Sequence, residues 1–87
     1  MKINGEFLLR EVVGETVLVP VGKTALEYNG MIIINETGAF IWKALEQELG
    51  EQEILKKMMD TFDVEEAEAA ADLREFLNNL KNAGFVE

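Results

Sequence analysis

The sequence predicts an α+β domain: a three-stranded antiparallel sheet followed by three helices. Three observations predict it. The first 34 residues hold three short apolar segments of strand length, separated by turns that contain glycine. After Asn35 the apolar residues recur at helical spacing, interrupted twice by candidate stops and caps. Between the two halves, the stretch Gly30-Met31-Ile32-Ile33-Ile34-Asn35-Glu36 changes period, from an unbroken apolar run to a capped helix start.

Residues 7–13 read as the first strand and residues 16–21 as the second. Gly14-Glu15 between them fits a two-residue hairpin turn with Gly in the first central position. In the second strand Val17, Val19 and Val21 alternate with Thr16, Leu18 and Pro20, which suits a half-buried strand. Pro20 cannot donate to a ladder, so it belongs at a strand end or an unpaired edge. Residues 22–29 form a connection, with room for a short extended piece around Leu26 and Tyr28. Asn29-Gly30 is a turn signal that introduces the third strand, residues 31–34. This strand is apolar at every position, so something must cover both of its faces.

Asn35 is a suitable N-cap for the first helix, residues 36–48, and Glu36 complements the positive end of its dipole. Gly38, Ile41, Trp42, Leu45 and Leu49 share one face, where Gly38 permits a close approach to a neighbour. Phe40 falls on the opposite side and either packs under the hairpin or lies exposed. The second helix, residues 51–62, carries Ile54, Leu55, Met58, Met59 and Phe62 at helical spacing, with the methionines as core filler. Asp63 and Glu65 are cap candidates for the third helix, which runs to Ala83 with Gly84 as its stop. Its core face is Ala69, Ala70, Leu73, Phe76, Leu77 and Leu80; beside it lies a smooth strip of Ala67, Ala71, Arg74 and Asn78. Phe85 and Val86 are expected to tuck back onto the core. Three helices on a small sheet resemble a winged helix-turn-helix with its strands moved ahead of the helices.

Composition narrows what such a domain does. The 87 residues make one domain, residues 1–87, and a chain of this size buries only about 60–65% of its unfolded surface. There is no Cys and no His, which removes disulfides, thiol nucleophiles, the usual zinc ligands and the commonest general base. The N-terminus lacks a signal-peptide pattern, and no run approaches the roughly 20 apolar residues of a membrane span. A cytoplasmic location is expected. Net charge is −9 and unevenly placed: residues 1–45 hold five acids and four bases, residues 46–87 twelve acids and four bases. An acidic helical half repels phosphate backbones, so nucleic acid is a poor partner.

No catalytic site assembles from these residues. The carboxylates sit at helix starts and on solvent faces; Glu51 and Glu53, and Glu65, Glu66 and Glu68, read as dipole partners rather than metal ligands. The seven glycines are isolated, so no loop cradles a phosphate. Neither an enzyme nor a cofactor is expected.

Leu18-Val19-Pro20, the segment from Tyr28 to Trp42 with its Asn-Glu-Thr-Gly-Ala-x-Ile-Trp core, and the run from Asp72 through Phe76 and Leu77 to Ala83-Gly84-Phe85 resemble the coenzyme PQQ synthesis protein D (PqqD) family. The likeness covers nearly the whole chain. The family is the stand-alone form of the recognition element for ribosomally made, post-translationally modified peptides. The resemblance implies a non-catalytic peptide chaperone that binds the leader of a precursor peptide and delivers it to a modifying enzyme of the radical SAM class. It also implies that the leader adds as a strand along the third strand, beside the third helix.

Carried onto this chain, the edge is Met31, Ile32, Ile33 and Ile34, and the facing wall is drawn from Ala67, Ala70, Ala71, Leu73, Arg74, Phe76 and Leu77. Arg74 is expected to meet a leader carboxylate. Which of Ile32 and Ile33 points outward depends on register. Without leader, the edge is expected to pair with a second copy. The competing readings are a DNA-binding winged helix, whose groove helix would carry Glu65, Glu66, Glu68, Asp72 and Glu75 against Arg74 and Lys81, and a protein-interaction subunit with another partner.

Overall fold

The structure is a computed structural model that describes residues 2–28 and 30–87. Its elements run β1 (Phe7–Val12), β2 (Glu15–Pro20), α1 (Thr24–Glu27), β3 (Ile32–Ile34), α2 (Glu36–Glu46), α3 (Glu51–Phe62) and α4 (Glu66–Ala83). The strands form one antiparallel sheet in the order β1-β2-β3, and three long helices follow. The expected turn at Asn29-Gly30 lies partly outside the described residues.

The connection after β2 departs from expectation. In place of an extended piece around Leu26 and Tyr28, residues 24–27 form a single helical turn. Long-range contacts account for it: the buried Thr24 Oγ1 accepts the Glu6 N–H at 2.7 Å, and the Tyr28 hydroxyl donates to the Gly84 carbonyl at 3.1 Å. These tethers outweigh the weak local preference of the segment.

The hairpin turn also sits one residue earlier than expected, at Val13-Gly14, because Val12 pairs with Glu15. This register sets Leu9 opposite Leu18 and leaves Phe7 and Leu18 buried. A slip of one residue would turn them to the other face, so burial overrides turn preference. The consequence is a β-branched residue in the left-handed region: Val13 has φ 52° beside Gly14 at φ 78°, the two positive values of a type I′ turn. Val13 is 98% exposed, so it gains almost nothing from packing. Val13→Asn, which makes the preferred Asn-Gly pair, is therefore expected to stabilise the domain by about 1 kcal/mol. A thermal melt should show Tm rising by about 4–8 °C; an unchanged or lower Tm would contradict this account of the turn.

The ladder phase decides what β3 offers. Val21 N–H donates to the Glu6 carbonyl at 3.0 Å. Alternation from that bond points the backbone groups of Glu15, Val17 and Val19 at β1, and those of Thr16 and Leu18 at β3. Ile34 and Ile32, opposite Thr16 and Leu18, thus use their N–H and C=O groups on β2. Pro20 ends its strand beyond the last β3 pair, where its missing N–H interrupts nothing.

Asn35 caps α2 as expected, its Oδ1 accepting the Gly38 N–H at 2.8 Å. The helix ends at Glu46, two residues short of the expected end, and Glu48 then adopts a left-handed φ of 60°. Ile41, Trp42 and Leu45 enter the core from α2, with Ile54 and Met58 from α3 and Ala69, Leu73, Leu77 and Leu80 from α4. Gly38 does permit a close approach: a Cβ there would lie 2.8 Å from Cε1 of Phe76 on α4. Phe40 packs edge-on against Phe62 at the end of α3, ring centroids 5.2 Å apart. The expected side-chain cap of α4 is not found: Asp63 instead closes α3 in the left-handed region, and Glu65 precedes α4 with no side-chain cap bond.

Phe85 and Val86 return to the core. Ile3 bridges to Val86 as an isolated pair, and Asn4 N–H donates to the Phe85 carbonyl at 2.7 Å. Phe85 stacks on Phe7 at 4.5 Å, and Phe7 meets Trp42 edge-on at 5.3 Å, joining the tail, the sheet and α2.

Candidate functional site

The outer strand β3 has one free edge, since β2 occupies the other. On that edge the outward N–H and C=O belong to Ile33, with Met31 the next such position along the chain. Ile33 is 65% exposed and Met31 57%, whereas Ile34 is buried and Ile32 packs partly against the core. The register question is thereby answered: Ile33 turns outward, and Ile32 faces the helices. Of the four edge residues expected to offer backbone contacts, Ile32 and Ile34 have theirs engaged in the sheet.

Beside this edge lies a cleft of about 260 Å³ between β3 and α4. Its sheet side is Ile32, Ile33 and Ile34; its floor is Gly38 and Ile41 with Asn35 and Thr37; its helix wall is Asp72, Glu75, Phe76, Asn79 and Leu80. Open along one side and bordered by a strand edge, the cleft has room for side chains of an extended peptide. Gly38 is what keeps the floor low, because the Phe76 ring occupies the space a side chain there would fill.

The helix wall of this cleft differs from the expected set. Of the seven α4 residues predicted to face β3, only Phe76 lines the cleft. Leu73 and Leu77 are buried in the core. Ala70, Leu73, Arg74 and Leu77 border a separate groove toward α3, shared with Glu51, Gln52 and Lys81. Ala67 and Ala71 are exposed and line neither. At 3.6 residues per turn the alanine strip and the Asp72-Glu75-Phe76-Asn79 row lie on opposite flanks of the core face. The side of α4 that lines the cleft mixes carboxylates, an amide and an aromatic ring with Leu80. Its only sequence signal was the spacing 72, 75, 76, 79. Arg74 is therefore not placed to meet a ligand beside β3.

Among the described residues no group of three or more His, Cys, Asp or Glu is arranged to hold a metal ion, and no helix is long and apolar enough to cross a membrane.

The model of the coenzyme PQQ synthesis protein D (PqqD) family matches residues 15–86, from β2 to the C-terminal bridge, and so takes in both walls of the cleft. The chain belongs to the PqqD family. Among solved structures, TbiB1 in complex with the TbiA(beta) leader peptide resembles this PqqD-family chain with a TM-score of 0.77 and 25% identity. That likeness covers 100% of this chain and 95% of the other, so strands, helices and cleft are all included. Among curated proteins, none matches the sequence significantly.

Proposed function

We propose that this PqqD-family chain is a single-domain, non-catalytic recognition element for the leader segment of a ribosomally made precursor peptide. The leader adds as a fourth strand on β3, enters the cleft beside α4, and is presented to a modifying enzyme, of the radical SAM class. The observation that carries the reading is the free Ile33 backbone edge beside a cleft with an apolar floor and a partly acidic wall. Strand addition satisfies the unpaired edge groups with little demand on sequence, while the cleft selects side chains. Family membership and the likeness to a protein that binds a leader peptide support it. With no leader present, the same edge is open to a second copy of the chain, which makes a strand-paired homodimer its competitor.

The test is fluorescence anisotropy with a labelled synthetic leader, taken from a short precursor encoded beside the gene. A Kd of roughly micromolar or tighter is expected, about −8 kcal/mol of binding free energy. Amide shifts on adding leader should concentrate at residues 31–35 and on the 72–80 face of α4. Failure of every neighbouring precursor to bind would overturn the reading, and shifts centred on α3 would move the site.

A further inference from the structure

Resting on the proposed strand addition, we infer that the peptide this cleft takes carries a basic residue, Lys or Arg, on the same strand face as an apolar residue. A strand added to β3 alternates its side chains, and those opposite Ile32 and Ile34 point toward the helices, into the cleft. There they meet two kinds of surface. Ile41 and the bare Gly38 of the floor make an apolar surface with Phe76 and Leu80 of the helix wall, and Asp72 and Glu75 supply two carboxylates on that wall.

The two carboxylates are a like-charged pair one turn apart on α4. Neither has a base within helical reach. Positions three and four away from Asp72 are Ala69, Glu68, Glu75 and Phe76; those from Glu75 are Asp72, Ala71, Asn78 and Asn79. No Lys or Arg lines the cleft among the described residues. The basic side chains of α4 lie elsewhere, Arg74 and Lys81 bordering the groove toward α3. A peptide cation is thus the natural complement, and the net charge of −9 favours its approach from solution. An acidic residue at the same place would be repelled, so the pair discriminates as well as attracts. Side chains that share a strand face are spaced by two residues, so one beside Asp72 and Glu75 and one over the apolar residues are at nearest alternate positions. The peptide therefore places its basic and apolar residues two positions apart.

A display library of random twelve-residue peptides, panned against the intact 87-residue chain, tests this directly. Enriched peptides should carry Lys or Arg, two positions from an apolar residue, at least fivefold above library frequency. For the best of them, exchanging that basic residue for Glu should weaken binding at least tenfold. The double variant Asp72→Lys/Glu75→Lys should reverse the preference and recover the Glu-bearing peptide, as a coupled pair requires. Both positions are exposed, and circular dichroism checks that the variant folds. Enrichment with no basic position, or a preference unchanged on the variant, overturns the inference while leaving strand addition intact. Failure to enrich any peptide counts against strand addition itself.

Discussion

Trp42→Ala is expected to destabilise the domain by about 3–5 kcal/mol, the range for truncating a buried aromatic residue. Trp42 is 1% exposed at the centre of the core and lies edge-on to Phe7, which in turn stacks on Phe85. Removing the indole therefore loosens α2, the sheet and the C-terminal tail together. Domains of this size are stable by only about 4–13 kcal/mol, so the loss takes a large share of the total. Urea unfolding followed by far-UV circular dichroism measures it, since Trp42 is the only tryptophan and fluorescence disappears with it. Trp42→Phe is the informative companion. The indole Nε1 is buried with no acceptor among the described residues, an arrangement that itself costs free energy. Phenylalanine removes that unpaired donor while keeping much of the packing, so its cost should be under half that of alanine. A loss below about 1.5 kcal/mol for Trp42→Ala would show that the core does not rest on this residue.

The parts of this fold legible in the sequence are those set by local rules. Asn35 was readable as a cap because its side chain bonds three residues along its own chain, and α3 was readable end to end from its spacing and the Gly50 before it. Gly38 was readable as a contact position, though not its partner Phe76, which lies 38 residues away. What escaped the sequence depends on distant partners. The turn at α1 is held by Glu6 and Gly84, and the hairpin shifted because burial of Phe7 and Leu18 outweighed the strain at Val13. The site divided in the same way. The apolar character of residues 31–34 marked the edge, but the phase that leaves Ile33 free was fixed by a bond between Val21 and Glu6. The wall expected on α4 came from the family resemblance, and helix geometry turns most of its residues to the core or to the opposite flank. The face turned to β3 is partly acidic, and the alanine strip is ordinary helix-favouring surface.

Ile33→Pro is expected to weaken leader binding at least tenfold while changing Tm by only a few degrees. Proline removes a single backbone donor, and at Ile33 that donor points away from β2, so the pairs of Ile32 with Leu18 and Ile34 with Thr16 survive. The residue before it, Ile32, already holds the extended conformation that proline demands of its predecessor. The side chain given up is 65% exposed, so little burial is lost. For an incoming strand the change is severe. It loses one hydrogen bond, worth about 0.5–1.5 kcal/mol or up to tenfold in affinity, and the ring blocks close approach to the edge. Ile32→Pro should do the reverse, breaking the ladder to Leu18 and costing stability before binding can be measured. Anisotropy with the labelled leader, paired with a thermal melt, reads both effects, and Ile33→Ala supplies the control because it keeps the N–H. Binding that survives proline would place the peptide away from β3. Binding lost with proline but largely kept with alanine assigns the contact to the backbone, where strand addition requires it to be.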